Sequence, residues 1–193
     1  SKRDVEALAE AGALAKLSPA RREALWRARA PREGGLFDGL DLETDEEVGL
    51  PELRPLEQLA LDYGRVGLSI HDHPMKHLRA DLARAGVKRA DDLRTVAHGS
   101  AVTVAGMVIG RQRPGTASGV TFVTLEDETG MMNLIVGAAL FAESYTVARH
   151  AKLLLVRGRV ERQGRVIHVL AEALERLALP GGEEPKVRSR DFH

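Results

Sequence analysis

Residues 120–136, VTFVTLEDETGMMNLIV, decide the fold of the second half of this 193-residue chain. Short, mainly apolar runs that contain β-branched residues lie before and after a four-residue segment, Asp127-Glu128-Thr129-Gly130. Such runs bounded by turn residues predict β-strands, and Asp and Gly at such positions favour a turn. The sequence therefore predicts a hairpin with strands over 120–125 and 131–136.

Three further strands and one helix are predicted around this hairpin. Before it, Val102, Val104 and Val108 alternate with other residues, and Gly106 interrupts the run as a bulge would. After it, the pattern predicts a helix over 137–149, a strand over 153–162, a tight turn at Gln163-Gly164 and a strand over 165–170.

This order of strands and helix is typical of the five-stranded oligonucleotide/oligosaccharide-binding (OB) barrel. We expect the helix between strands three and four to plug the open end of the barrel. We expect Gly106 to let strand one bend so that it joins both sheets.

The first 99 residues are predicted to be helical. Apolar residues at helical spacing predict a helix within 4–16, and Ser18-Pro19 a second helix start with a hydroxyl cap. An apolar stripe that includes Leu59 and Tyr63 predicts a third helix, from Pro51 or Pro55 to Gly64. His73-Pro74 opens a fourth that ends at Gly86, and a short helical piece lies near 90–97.

The predicted fold class is therefore α+β, a helical N-terminal half followed by the OB barrel with one helix between strands three and four. Residues 31–50 include six acidic residues between Phe37 and Glu47 and no basic residue within that stretch, which predicts a linker or long surface loop. A docking segment for a basic partner is the alternative. The predicted boundaries are 1–30, 31–50, 51–99, 100–178 for the barrel and 179–193 for a C-terminal tail.

Composition excludes several classes of protein. The 28 Lys and Arg residues balance 28 Asp and Glu, so the chain lacks the strong positive field of an autonomous nucleic-acid binder. It has no Cys, which excludes disulfides and thiolate metal sites. No apolar run is long enough to span a membrane, and the start does not resemble a secretion signal. We expect a cytoplasmic protein and, since the first residue is Ser1, an excised piece of a longer one.

The predicted barrel carries arginines where ligands of this fold bind. Guanidinium groups suit a phosphodiester backbone, because they stay charged and fork their donors. Phe122 is the one aromatic residue near the expected face, so weak, salt-sensitive and sequence-tolerant binding of single-stranded DNA is expected. The alternative is that these arginines solubilise a barrel that docks only proteins. The candidate DNA-binding residues are Arg111, Arg113, Phe122, Arg157, Arg159, Arg162 and Arg165.

Three other clusters have simpler explanations than a site. Glu126, Asp127 and Glu128 are explained by turn chemistry rather than by a metal. His71, Asp72, His73 and His77 could suggest zinc, but Asp72 or His73 capping the next helix is favoured. Gln58 to Tyr63 resembles peptides that plug sliding clamps, yet the same residues form the apolar stripe of a helix. The sequence shows no catalytic constellation, and no metal site is predicted.

Four stretches resemble the C-terminal part of bacterial C-family DNA polymerases, the family of the DNA polymerase III alpha subunit. They are residues 67–74 (GLSIHDHP), 104–108 (VAGMV), 123–130 (VTLEDETG) and 155–160 (LVRGRV). Residues 111–117 (RQRPGTA) and 189–193 (SRDFH) are similar to the error-prone, damage-inducible branch of that family. Residues 18–26 resemble the end of its helix-hairpin-helix region.

The resemblance implies a parent enzyme that copies DNA across lesions in replication and repair, with two Mg²⁺ ions on aspartates upstream of this fragment. It therefore implies neither a catalytic residue nor a cofactor here. It implies template contact at Arg111, Arg113, Arg157 and Arg159. Its accessory proteins resemble a Y-family polymerase and a recombinase, and the sliding clamp is reached indirectly. Candidate docking residues for such partners are Leu36, Phe37, Arg190 and Phe192.

Overall fold

The structure is a computed structural model that describes residues 1–18, 20–30, 49–116, 119–164, 166–179 and the backbone of 190–192. The chain divides into two compact units, residues 1–68 and 69–193. The predicted linker lies almost wholly in 31–48, outside the described residues, and so do Leu36 and Phe37.

The first unit contains three helices, α1 (Lys2–Glu10), α2 (Arg21–Arg29) and α3 (Pro55–Arg65). Glu10 of α1 pairs with Arg29 of α2 and Arg65 of α3, so ion pairs link all three. Within α3, Leu59 and Tyr63 are buried, which confirms the interpretation of the apolar stripe as core.

The predicted Ser18 cap is wrong. Helix α2 begins at Arg21 with Ala20 at the N-cap position, and no side chain caps it. The Ser18 hydroxyl lies two residues earlier and donates to the carbonyl of Ala20 instead, at 3.5 Å. Pro19 lies outside the described residues.

The second unit begins with helix α4 (Pro74–Arg84) and a short 3-10 helix (Asp91–Arg94). His73 is the N-cap of α4, and its Nδ1 accepts a hydrogen bond from the amide of Met75 at 3.1 Å. The predicted His-Pro helix start is therefore confirmed. The strands and helices that follow are β1 (Ala101–Gln112), β2 (Thr121–Asp127), β3 (Gly130–Val136), α5 (Ala138–Glu143), α6 (Tyr145–His150), β4 (Leu153–Gln163), β5 (Val166–Arg176) and β6 (Arg190–Phe192).

Strands β1 to β5 close into the predicted barrel. The first part of β1 pairs with β4, its last part pairs with β2, and β3 and β5 pair in parallel. Met107 pairs with both neighbours of β1, so the strand passes between the sheets there. A Cβ at the adjacent Gly106 would lie 2.9 Å from the carbonyl oxygen of Glu126, which explains the glycine. The bulge itself lies at Ile109, between the paired residues Val108 and Gly110, and not at Gly106.

The barrel encloses one apolar core. Every second residue of β2 and β3 points into it, including Val123, Leu125 and Leu134. Phe141 of α5 and Ala148 of α6 enter the same core, as does Leu93 of the 3-10 helix. The predicted helix over 137–149 is interrupted at Ser144, whose φ of −100° and ψ of 26° depart from helical values.

Two parts of the barrel unit were not predicted. Strand β5 continues past Leu170 to Arg176. This continuation was missed because a bulge at Glu172 puts the apolar residues after it out of alternating phase. Within the predicted tail, β6 pairs in parallel with Gly110–Gln112 of β1. In the part of the chain that the structure describes, no helix could cross a membrane.

Candidate nucleic-acid interface

A row of apolar residues, exposed at its two ends and half-buried at its centre, crosses the outer face of the barrel. Phe122 of β2 is paired with Ile135 of β3, and Ile135 is paired with Leu170 of β5. Phe122 is 36% exposed and Leu170 is 43% exposed. We call these three residues the apolar row. Sequence reasoning found Phe122 but missed Ile135, its partner in the predicted hairpin, and Leu170. Leu170 could not be found locally, since the parallel pairing of β3 with β5 joins segments that are distant in sequence.

A second row of polar side chains lies beside the apolar row. It consists of Thr124, Asn133 and His168, again paired from β2 to β3 to β5. The Thr124 hydroxyl donates to Oδ1 of Asn133 at 3.3 Å. We call these residues the polar row. The two rows together offer an apolar surface bordered by hydrogen-bonding groups.

Arg111 does not lie in the loop where it was predicted. It belongs to β1, and its side chain is buried at 5% exposure. Its Nε donates to the carbonyl of Ala148 at 2.7 Å, and its Nη2 donates to the carbonyl of Ala151 at 2.6 Å. This guanidinium therefore fastens the end of α6 to the barrel, so its predicted place on a ligand surface is corrected.

Arg162 also binds main-chain carbonyls within the barrel unit. It lies in β4 and donates from Nε to Val96 at 2.9 Å and from Nη2 to Leu93 at 2.8 Å and Arg94 at 2.6 Å. It thereby holds the 3-10 helix. Its predicted neighbour Arg165 lies outside the described residues.

Arg113 lies beyond the end of β1, and its guanidinium carbon is 5.4 Å from the centroid of the Phe141 ring. This is the geometry of a cation–π contact. Arg113 remains in an exposed position, so its charge faces solvent while the ring covers one side.

Arg157 and Arg159 share the exposed face of β4, as predicted from their alternation with Val156 and Val160. Each pairs with a glutamate on β5. Nη2 of Arg157 lies 2.6 Å from Glu175, and Nε of Arg159 lies 2.9 Å from Glu172. The predicted arginines are thus distributed over several faces of the barrel rather than gathered in one groove.

The acidic hairpin is bound to α4, the helix that the histidine segment opens. Oδ1 of Asp127 accepts from the amides of Thr129 and Gly130, as the turn interpretation predicted. Arg79 of α4 pairs with Asp127 and Glu128. Among the described residues, no group of three potential ligands could hold a metal ion.

Burial and charge shift three titratable groups in this region. Burial lowers the pKa of His73, although nearby Glu128, Asp127 and Asp72 oppose that shift. Burial also raises the pKa of Glu126, and the charge of Asp127 adds to the effect. For Asp72 burial opposes ionisation, but hydrogen bonds from His77 and the His73 amide hold its pKa below the usual value.

Comparisons with known proteins identify a family and relatives that this chain resembles. Residues 102–177 match the family described as "OB-fold nucleic acid binding domain". The chain is 41% identical to an error-prone DNA polymerase of Caulobacter vibrioides, over 98% of the chain and 20% of that protein. It is 45% identical to an error-prone DNA polymerase of Pseudomonas fluorescens, over 97% of the chain and 18% of that protein.

Among solved structures, asparaginyl-tRNA synthetase from Pyrococcus horikoshii resembles 48% of the chain, with 22% of that protein covered. The sequence identity is 22% and the TM-score is 0.40, so this likeness supports no functional argument. The polymerase matches are different in kind, because they cover nearly the whole chain at more than 40% identity. The chain spans about a fifth of the length of these curated relatives and matches their C-terminal part. On these matches, together with the closed barrel that they cover, the chain belongs to the error-prone DNA polymerase family.

Proposed function

We propose that this chain is a non-catalytic C-terminal module of an error-prone DNA polymerase and that its barrel contacts single-stranded template DNA. The observation that carries the proposal is the apolar row, whose end members Phe122 on β2 and Leu170 on β5 lie exposed on a barrel that matches a nucleic-acid-binding family. Ligands of this fold bind across strands two and three, where Phe122 and Ile135 lie.

The apolar row and the polar row make different contacts with the nucleic acid in this proposal. A base stacks on the Phe122 ring and covers Ile135 and Leu170, an interaction that every base can make. Thr124 and Asn133 offer hydrogen bonds beside the stack. Arg113, Arg157 and Arg159 supply positive charge for phosphates. Binding through one aromatic ring and a few charges is weak and tolerant of sequence.

In this proposal the polymerase activity itself belongs to the remaining four fifths of the parent protein. We propose that the parent copies damaged template with Mg²⁺ held upstream, in the cytoplasm, and that accessory proteins of the Y-family-polymerase-like and recombinase-like kinds bind this module. Arg190 and Phe192 stay candidate docking residues, as do Leu36 and Phe37. An indirect link to the sliding clamp is consistent with the buried Leu59 and Tyr63 in the clamp-peptide-like segment.

The test is fluorescence anisotropy of a labelled 20-nucleotide single strand with the full chain. We expect Phe122→Ala to weaken binding about tenfold, because stacking of one base contributes about 1–3 kcal/mol. Phe122→Leu keeps the surface apolar and is expected to recover only part of the loss. Trp26→Ala is the matched control, since Trp26 is exposed in the first unit, and it should leave affinity unchanged.

Two results would overturn the proposal. One is no binding at low salt, and the other is equal binding by Phe122→Ala and the unaltered chain. Either result would favour the alternative, a module that docks only proteins. Thermal unfolding of each variant shows whether a loss of binding comes from a loss of fold.

A further inference from the structure

We propose that Glu172 and Glu175 limit the affinity of the barrel for nucleic acid, by each holding one arginine of β4 in an ion pair. The inference rests on the proposed function. It assigns the two carboxylates the role of residues that set affinity, whereas the sequence drew attention to the arginines alone.

The two ion pairs repeat the same geometry. Arg159 is paired in the sheet with Leu170 and binds the residue two positions further along β5, Glu172. Arg157 is paired with Ala173 and likewise binds the residue two positions further, Glu175. Both are therefore the same cross-strand diagonal.

The bulge on β5 makes this repetition possible. The arginines are two residues apart, whereas the glutamates are three residues apart, and the extra residue at Glu172 absorbs the difference. Gly158 lies between the arginines, where a Cβ would come within 2.2 Å of the carbonyl oxygen of Leu170. Backbone geometry thus supplies each arginine with its own carboxylate.

The pair of Arg159 with Glu172 borders the apolar row, because Arg159 is the sheet neighbour of Leu170, and the pair of Arg157 with Glu175 lies next to it along β4. All four side chains are between 51% and 61% exposed, so the pairs are weak and a phosphate can replace the carboxylate. The displaced carboxylate nevertheless stays close to the bound phosphate and repels it. Each glutamate therefore lowers both the affinity and the number of counterions that binding releases.

The experiment measures the affinity of Glu172→Gln, Glu175→Gln and the double variant for the same 20-nucleotide strand. We expect each single variant to bind about threefold more tightly at low salt, and the double variant about tenfold. The slope of log affinity against log salt should steepen by roughly 0.7 for each freed arginine. Glu143→Gln is the matched control, since it removes the same charge from an exposed position on α5.

A double-mutant cycle attributes the gain to the ion pair. In an Arg159→Gln background, Glu172→Gln should give a smaller increase in affinity than in the unaltered chain, because only the repulsion between carboxylate and phosphate is then relieved. An equal gain in that background, or an equal gain from Glu143→Gln, would overturn the inference, because it would reflect net charge alone.

The outcomes also separate the two proposals. If Phe122→Ala weakens binding while the glutamine variants bind like the unaltered chain, the inference fails and the proposed function stands. If the unaltered chain does not bind at low salt, the proposed function fails, and the inference that rests on it fails as well.

Discussion

Two pairs of arginines on one barrel do different work. Arg111 and Arg162 donate to main-chain carbonyls and hold α6 and the 3-10 helix, respectively. Arg157 and Arg159 lie on the exposed face of β4 and bind glutamate side chains, and Nη1 of Arg159 also donates to the carbonyl of Gly99 at 3.3 Å. We call Arg111 and Arg162 the closing arginines, and their role is structural. We call Arg157 and Arg159 the ribbon arginines, and a ligand can replace their carboxylate partners. The partner, and not the residue type, determines the role.

The largest expected effect comes from breaking the backbone under the ribbon arginines. Gly158→Ala would place a methyl group 2.2 Å from the Leu170 carbonyl oxygen, so β4 and β5 would have to separate. We expect the free energy of unfolding of the barrel to fall by about 3 kcal/mol, as measured by urea denaturation.

Gly115→Ala is the control for that variant. No heavy atom lies within 4 Å of a Cβ built at Gly115, so its effect should stay within about 0.5 kcal/mol. Similar stability of the two variants would contradict the close approach of β4 and β5.

Removing a closing arginine is expected to be the next most damaging change. Arg111→Met keeps an apolar chain in the buried position but leaves the carbonyls of Ala148 and Ala151 without this donor. We expect a loss of about 2–3 kcal/mol, because unsatisfied buried groups cost about 1–3 kcal/mol each. Arg111→Lys should recover only part of it, since one ammonium lacks the planar fork of donors. Full recovery by lysine would argue against the two-carbonyl geometry.

The same substitution at a ribbon arginine should barely change stability. Arg157→Met removes an ion pair whose side chains are 61% and 51% exposed, and such pairs contribute about 0–1 kcal/mol. Urea denaturation should therefore detect less than about 1 kcal/mol, while affinity for single-stranded DNA falls. A loss as large as that of Arg111→Met would remove the distinction between the two pairs.

The smallest expected effect concerns the His73 cap of α4, because burial lowers the pKa of this side chain below its usual value. Nδ1 of His73 accepts the Met75 amide and can do so only when it is unprotonated. Since burial lowers the pKa of His73, the unfolded chain takes up the proton first as pH falls below about 6.5. The stabilisation is thus complete above that pH and is lost progressively below it.

His73→Asn keeps a capping acceptor that does not titrate in this range. We expect the unfolding free energy of this variant to vary less between pH 7 and pH 5 than that of the unaltered chain. An identical pH dependence in both proteins would show that other groups dominate.

The barrel could be predicted because its evidence is local. The hairpin at Asp127–Gly130 and the alternation of β4 are encoded in neighbouring residues. Strand β5 was predicted too short because the bulge at Glu172 breaks the period that reveals a strand. The break at Ser144 and the pairing of β6 carry no comparable local signal.

The candidate site was harder to predict than the fold because its contacts are non-local. Arg111 looks like a loop arginine in sequence, and its carbonyl partners are nearly forty residues away. Leu170 joins Phe122 and Ile135 only after the barrel closes, because β3 and β5 are distant in sequence. The arginines in the sequence show that positive charge is available. Only the sheet register shows which of these arginines already have a partner in the fold.

The short strand β6 has a consequence for the order in which the unit assembles. The three residues of β6 pair with Gly110–Gln112 of β1, which lie much earlier in the sequence. Strand β6 is the outermost strand in the sheet order. A brief pairing that closes so long a loop forms late and opens early. In hydrogen exchange, amides at this edge should lose protection well before those of the barrel. Strand β6 can therefore separate from β1 while the five strands of the barrel stay closed.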